Sequence, residues 1–134
     1  MDLAQNIADI GNNKEKVTDF VSSLHTDKIE NIRQVIQEIS ELIQERRQLS
    51  NNLIMSCESM LSRINGITTR IPQENIREEI QLQEKAIGVE EVKLNEQLNC
   101  WRDIALLKKE LREVLREFRE QESIQNTYSD LLKD

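Results

Sequence analysis

Four residues govern what this chain can fold into. Gly11, Gly66, Gly88 and Pro72 are its only glycines and its only proline. Folds with many connections need turn residues at each one, so β-sandwiches, barrels and multi-crossover α/β folds are excluded. Aromatic side chains, which fill most compact cores, make up only 3% of the sequence, while charged residues make up 32%. What remains is an all-α chain of long helices, a coiled coil or a thin bundle.

The 134 residues suffice for one domain. Net charge is −7, and neither half is basic: residues 1–71 carry 8 basic and 10 acidic side chains, residues 72–134 carry 10 and 15. Nucleic acid is therefore a poor partner, because phosphate binding needs a concentrated basic surface. No amphipathic helix near the N-terminus is rich enough in Lys or Arg to suggest a membrane surface. Met1-Asp2-Leu3-Ala4 lacks the basic start and apolar stretch of a signal peptide. Ile104 through Leu107 is the longest apolar run, far below the roughly 20 residues that cross a bilayer. The expectation is a chain of a reducing compartment, cytoplasmic by default, with Cys57 and Cys100 as free thiols.

Three places are expected to interrupt the helical pattern. They are Gly11-Asn12-Asn13, then His25-Thr26-Asp27, and most strongly the segment from Gly66 to Pro72. Asp27 with Glu30 resembles a capping box. Pro72 cannot sit in a helix interior and biases Ile71 toward extended backbone, but it suits the first turn of a new helix. The organisation expected is a short N-terminal helix and break over 1–13, a first arm over 14–69 interrupted near 25–27, and a second arm over 70–134.

Between the breaks the apolar spacing is helical. From Ile32 a seam runs through Val35, Ile39, Leu42, Arg46, Leu49, Leu53, Cys57, Met60, Ile64 and Ile67 in steps of three and four. Two consecutive fours around Leu53 mark a stutter in the heptad. Arg46 occupies an apolar position, either snorkelling off the seam or setting register as a polar layer. After Pro72 the seam is Ile76, Ile80, Ile87, Leu94, Leu98, Trp101, Ile104, Leu111, Leu115 and Phe118. It is weak from 80 to 93 and strong from Leu94 onward. Gly88 costs about 1 kcal/mol relative to Ala inside a helix.

A break near mid-chain predicts a long helical hairpin. Folding at residue 69 or 70 sets Trp101 opposite Ile36 and Ile39, Arg112 near Asp27 and Glu30, and Arg119 near Asp19. Cys57 and Cys100 then lie roughly 27 Å apart along the axis, too far for a disulfide.

Residues with chemistry are scarce. His25 is the only histidine, and there is no paired Glu-x-x-His, His-Glu-x-x-His, Cys-x-x-Cys or Gly-rich phosphate loop. Glu74/Glu78 and Glu113/Glu117/Glu120 read as solvated faces. Lys108, Lys109, Arg112, Arg116 and Arg119 form a basic stripe interleaved with acids. No catalytic, cofactor or metal site is expected, and no enzyme.

One feature points to association. Ile29, Ile36 and Ile43 recur every seven residues beside Ile32, Val35, Ile39 and Leu42, so the stripe is three positions wide over 29–43. A two-helix pair needs only two. The expected partner-binding residues are therefore Ile29, Ile32, Ile36, Ile39 and Ile43 on the first arm. On the second they are Leu94, Leu98, Trp101, Ile104, Leu111, Leu115 and Phe118. The hairpin would then be part of a larger helical bundle with other coiled-coil subunits. A self-sufficient homo-oligomeric spacer or adaptor is the competing expectation.

Ser62-Arg63-Ile64 through Ile71-Pro72, followed by a long helix reaching Leu98-Asn99-Cys100-Trp101-Arg102, resembles the later part of a small augmin (HAUS) subunit. That family has a helix, an Ile-Pro break and a later Trp-Arg. The resemblance implies a coiled-coil scaffold subunit of a spindle-microtubule branching complex that recruits the γ-tubulin ring. It also implies indirect microtubule association and a spindle or centrosome location in cell division. Small kinetochore or organelle-tethering subunits share this general layout.

Overall fold

A computed structural model describes residues 3–133, with side chains from Lys16 onward except those of Thr18, Tyr128, Leu132 and Lys133. Two helices account for nearly all of it. The first, α1, runs Leu3–Thr68 over 66 residues, and the second, α2, runs Ile76–Lys133 over 58. They pack against each other as a helical hairpin, with no strand among the described residues. Among the same residues no helix is long and apolar enough to cross a membrane.

The expected interruptions at Gly11-Asn12-Asn13 and His25-Thr26-Asp27 do not occur, and α1 is continuous through both. Each added residue of an established helix gains a backbone hydrogen bond, which outweighs a propensity penalty of about 1 kcal/mol or less for Gly or Asn. At the second site Thr26 Oγ1 donates to the Ser22 carbonyl within the helix (3.0 Å). The hydroxyl thereby bonds one turn back along the helix instead of capping a new one.

The third interruption is real but lies slightly later than expected. Gly66 is still helical, and the connection spans residues 69–75. Arg70 N–H donates to Ile67 and Ile71 N–H to Thr68, tightening the last turn of α1. Thr68 Oγ1 donates to the Ile64 carbonyl and Thr69 Oγ1 to that of Gly66 (2.8 and 2.9 Å), adding partners for the helix end. Asn75 N–H closes a turn on the Pro72 carbonyl, and the Asn75 carbonyl accepts from Glu79 as the first bond of α2. Pro72 thus heads the turn and not the helix. Asn75 occupies the cap position that Asn favours, with Glu78 and Glu79 in the first turn at the positive end of the dipole.

Because the connection is centred on Pro72, the pairing register slides. Folding at 69–70 would have set Glu58 opposite Gln81, yet Glu58 meets Lys93 (3.5 Å). The pairings expected for Arg112 and Arg119 are absent among the described residues. Glu30 instead pairs with Arg33 on its own helix.

The chain divides into two compact units, Met1–Ile39 with Glu110–Asp134, and Ser40–Lys109. In the first, Ile29, Ile32 and Ile39 are buried, with Leu111, Val114, Leu115 and Phe118 half-buried. His25 Nε2 donates to the Gln121 carbonyl (2.7 Å), and the Arg33 guanidinium lies 5.5 Å from the centre of the Phe118 ring. In the second, Ile43, Ser50 and Cys57 are buried, with Arg46, Ile54 and Leu61 half-buried between them.

This core keeps part of the expected seam: Ile32, Ile39 and Cys57 are buried, and Arg46 and Ile64 half-buried. Ile29 and Ile43, read as surplus, are 7% and 8% exposed. Val35, Leu42, Leu49, Leu53 and Met60, read as the seam, face outward. Both rows have heptad spacing, so local pattern does not choose between them. Arg46, a member of the expected seam, lies on the inward face and meets its partners on α2. The stutter persists but moves to the consecutive fours Arg46, Ser50, Ile54.

Candidate interaction surface

The inward face of α2 in the unit Ser40–Lys109 is partly polar. Leu82, Ala86, Val89, Lys93, Glu96, Cys100 and Asp103 are half-buried. Arg46 Nη1 donates to Glu96 Oε1, and Arg46 Nε donates to Asp103 Oδ2 (3.0 Å). These two hydrogen bonds hold the guanidinium still further above its already high ordinary pKa. Arg46 is thus a polar layer that joins the helices and does not snorkel away from them.

Turning this polar row inward leaves the apolar row of α2 outside. Ile76, Ile80, Ile87, Leu94, Leu98 and Trp101 are all exposed. Ile80, Ile87, Leu94 and Trp101 recur every seven residues and so form one line along the helix. Trp101, expected to face Ile36 and Ile39, is 74% exposed. Beside this line a groove of about 400 Å³ is formed by Leu61, Ala86, Ile87 and Leu94, with Glu90, Glu91, Lys93 and Gln97.

The outward row of α1 borders two further grooves in the same unit. One, about 590 Å³, is lined by Leu53, Met60, Ile64 and Ile67 with Leu82, Val89 and Val92. The other, about 500 Å³, lies between Leu42 and Leu49 on α1 and Leu106 and Leu107 on α2, next to Arg46 and Asp103.

The expected partner-binding residues therefore separate. Ile29, Ile32, Ile39 and Ile43 are buried, while Ile36, Ile104, Leu111, Leu115 and Phe118 are half-buried within their units. Only Leu94, Leu98 and Trp101 stand free of the chain's own packing. Ile80 and Ile87 belong with them although neither was among the expected partner-binding residues, and the seven-residue interval through Ile80, Ile87, Leu94 and Trp101 is the sequence signal that groups them.

Cys57 and Cys100 are free thiols, the first buried and the second half-buried. Among the described residues no three His, Cys, Asp or Glu side chains gather closely enough to hold a metal ion. No family model matches this chain, and neither does any curated protein or solved structure.

Proposed function

We propose that this chain is a non-enzymatic scaffold subunit of a hetero-oligomeric helical assembly. The observation that carries the proposal is the pair of exposed apolar rows in the unit Ser40–Lys109. One is Leu42, Leu49, Leu53 and Met60 on α1, and the other is Ile80, Ile87, Leu94 and Trp101 on α2. Apolar side chains exposed in rows, as opposed to scattered singly, mark interaction sites. Long helices with apolar residues at heptad spacing recognise other helices. The resemblance of residues 62–72 and 98–102 to an augmin subunit favours a spindle-microtubule assembly in the cytoplasm as the setting.

Affinity purification of the tagged chain, followed by mass spectrometry and light scattering, tests this reading. The expected result is co-purification of other helical subunits in fixed proportion, together with mixed oligomers or aggregation when the chain is alone. A sharp, stable homodimer with no other component would contradict it and favour a self-sufficient spacer.

A further inference from the structure

The α2 row differs from the α1 row in its charged borders. Around Ile87 and Leu94 the exposed acids are Glu84, Glu90 and Glu91, three or four residues from the row, and the last two line the groove together with Lys93. The two nearby bases, Lys85 and Lys93, are fewer and face α1. Lys93 is engaged by Glu58 at 3.5 Å, and Lys85 lies in the α1-side groove with Leu53 and Met60. The row is thus a straight apolar line with an acidic edge. From Ile80 to Trp101 it spans about 32 Å, roughly six helical turns.

We propose that this row is the docking site for a helix of another protein, one with an apolar heptad stripe bordered by Lys and Arg. The inference rests on the scaffold reading and names the chemistry of its partner. Charge complementarity selects that occupant over a second copy. A parallel copy laid on the same row would bring Glu84, Glu90 and Glu91 against their own equivalents, and an antiparallel one, with Ile87 opposite Leu94, would bring Glu90 against Glu91; like charges across helices destabilise pairing. The chain's basic stripe, Lys108 to Arg119, does not supply the partner either. Its neighbours Leu111, Val114, Leu115 and Phe118 are half-buried in their own unit, so it presents no matching apolar line.

Two Trp-free probe peptides of about three heptads test the proposal on the full chain. Both carry Leu at the stripe positions, and one has Lys and the other Glu at the bordering positions. Trp101, the only tryptophan, reports binding through a blue shift of its emission. The Lys-bordered peptide should bind about tenfold more tightly, and the preference should fade with added salt and in the variant Glu84→Gln/Glu90→Gln/Glu91→Gln. Ile87→Asp with Leu94→Asp should abolish the shift. These side chains are exposed, so the helical circular dichroism should persist. Leu42→Asp with Leu49→Asp should leave binding intact. Equal binding of both peptides, or tighter binding of the Glu-bordered one, would overturn the proposal. So would sedimentation as a dimer that Ile87→Asp dissolves. If natural partners are lost with Leu42→Asp/Leu49→Asp but kept with Ile87→Asp/Leu94→Asp, this row is refuted while the scaffold reading stands.

Discussion

Arg46 on α1 and Glu96 on α2 form a cross-helix ion pair in which each side chain is only 17% exposed. Asp103 completes the arrangement seven residues, about two turns, further along the same face of α2. A charge removed from water needs its partner, because an unpaired one retains the full desolvation cost. Arg46→Leu should therefore lower the melting temperature, and Glu96→Gln should lower it less, since Asp103 remains. A double-mutant cycle on residues 46 and 96 should show non-additivity. The sign of the pH effect follows from the raised guanidinium pKa. Its contribution is fully present below the ordinary guanidinium pKa and is lost only as pH rises from there through the raised value, so alkaline titration to about pH 10 should not weaken the Arg46 side of the pair.

Ile43 and Leu42 are adjacent in sequence and opposite in role. Ile43 is 8% exposed and Leu42 49%. Ile43→Ala should cost about 2–4 kcal/mol through the cavity it leaves. Leu42→Ala should change stability by no more than about 0.5 kcal/mol. Urea denaturation of the two variants checks the difference, and the reverse order would place the row of Leu42 inside.

Gly88 lies within α2, and a Cβ built there meets nothing within 4 Å. Gly88→Ala should accordingly stabilise the chain by about 1 kcal/mol, through helix propensity alone. Thermal unfolding should rise by a few degrees with no change in helical content.

Cys100 is half-buried and Cys57 buried. Under native conditions a maleimide should therefore label Cys100 first, and denaturant should remove the difference. Mass spectrometry of timed samples reads the order.

The hairpin itself was legible in the sequence because Pro72 is the single residue that no helix interior tolerates, and it stands near mid-chain. Its exact position was less so. The hydroxyls of Thr68 and Thr69 and the cap at Asn75 carry α1 past Gly66 and delay α2 to Ile76. His25-Thr26-Asp27 looked like a break because its residue types favour caps, yet Thr26 bonds back within the helix and His25 reaches Gln121 across the pair. The choice of inward face was legible only in part: Ile32, Ile39 and Cys57 of the expected seam are buried. Ile29/Ile36/Ile43 and Val35/Leu42/Leu49 are equally periodic. What separates them is long-range contact with α2, such as that of Arg46 with Glu96 and Asp103, 50 and 57 residues away, which the local period does not encode. The same long-range contacts turn Trp101 outward, against its apolar character.

Trp101 offers the most direct measurement. Acrylamide quenching and the emission maximum of the single tryptophan should be recorded at dilutions where sedimentation shows monomer. An α2 whose polar row faces α1 leaves Trp101 in water, so its emission should be red-shifted and freely quenched. A blue-shifted, quencher-protected Trp101 in the monomer would mean that the apolar row packs inside the hairpin, with no free α2 surface for a partner helix.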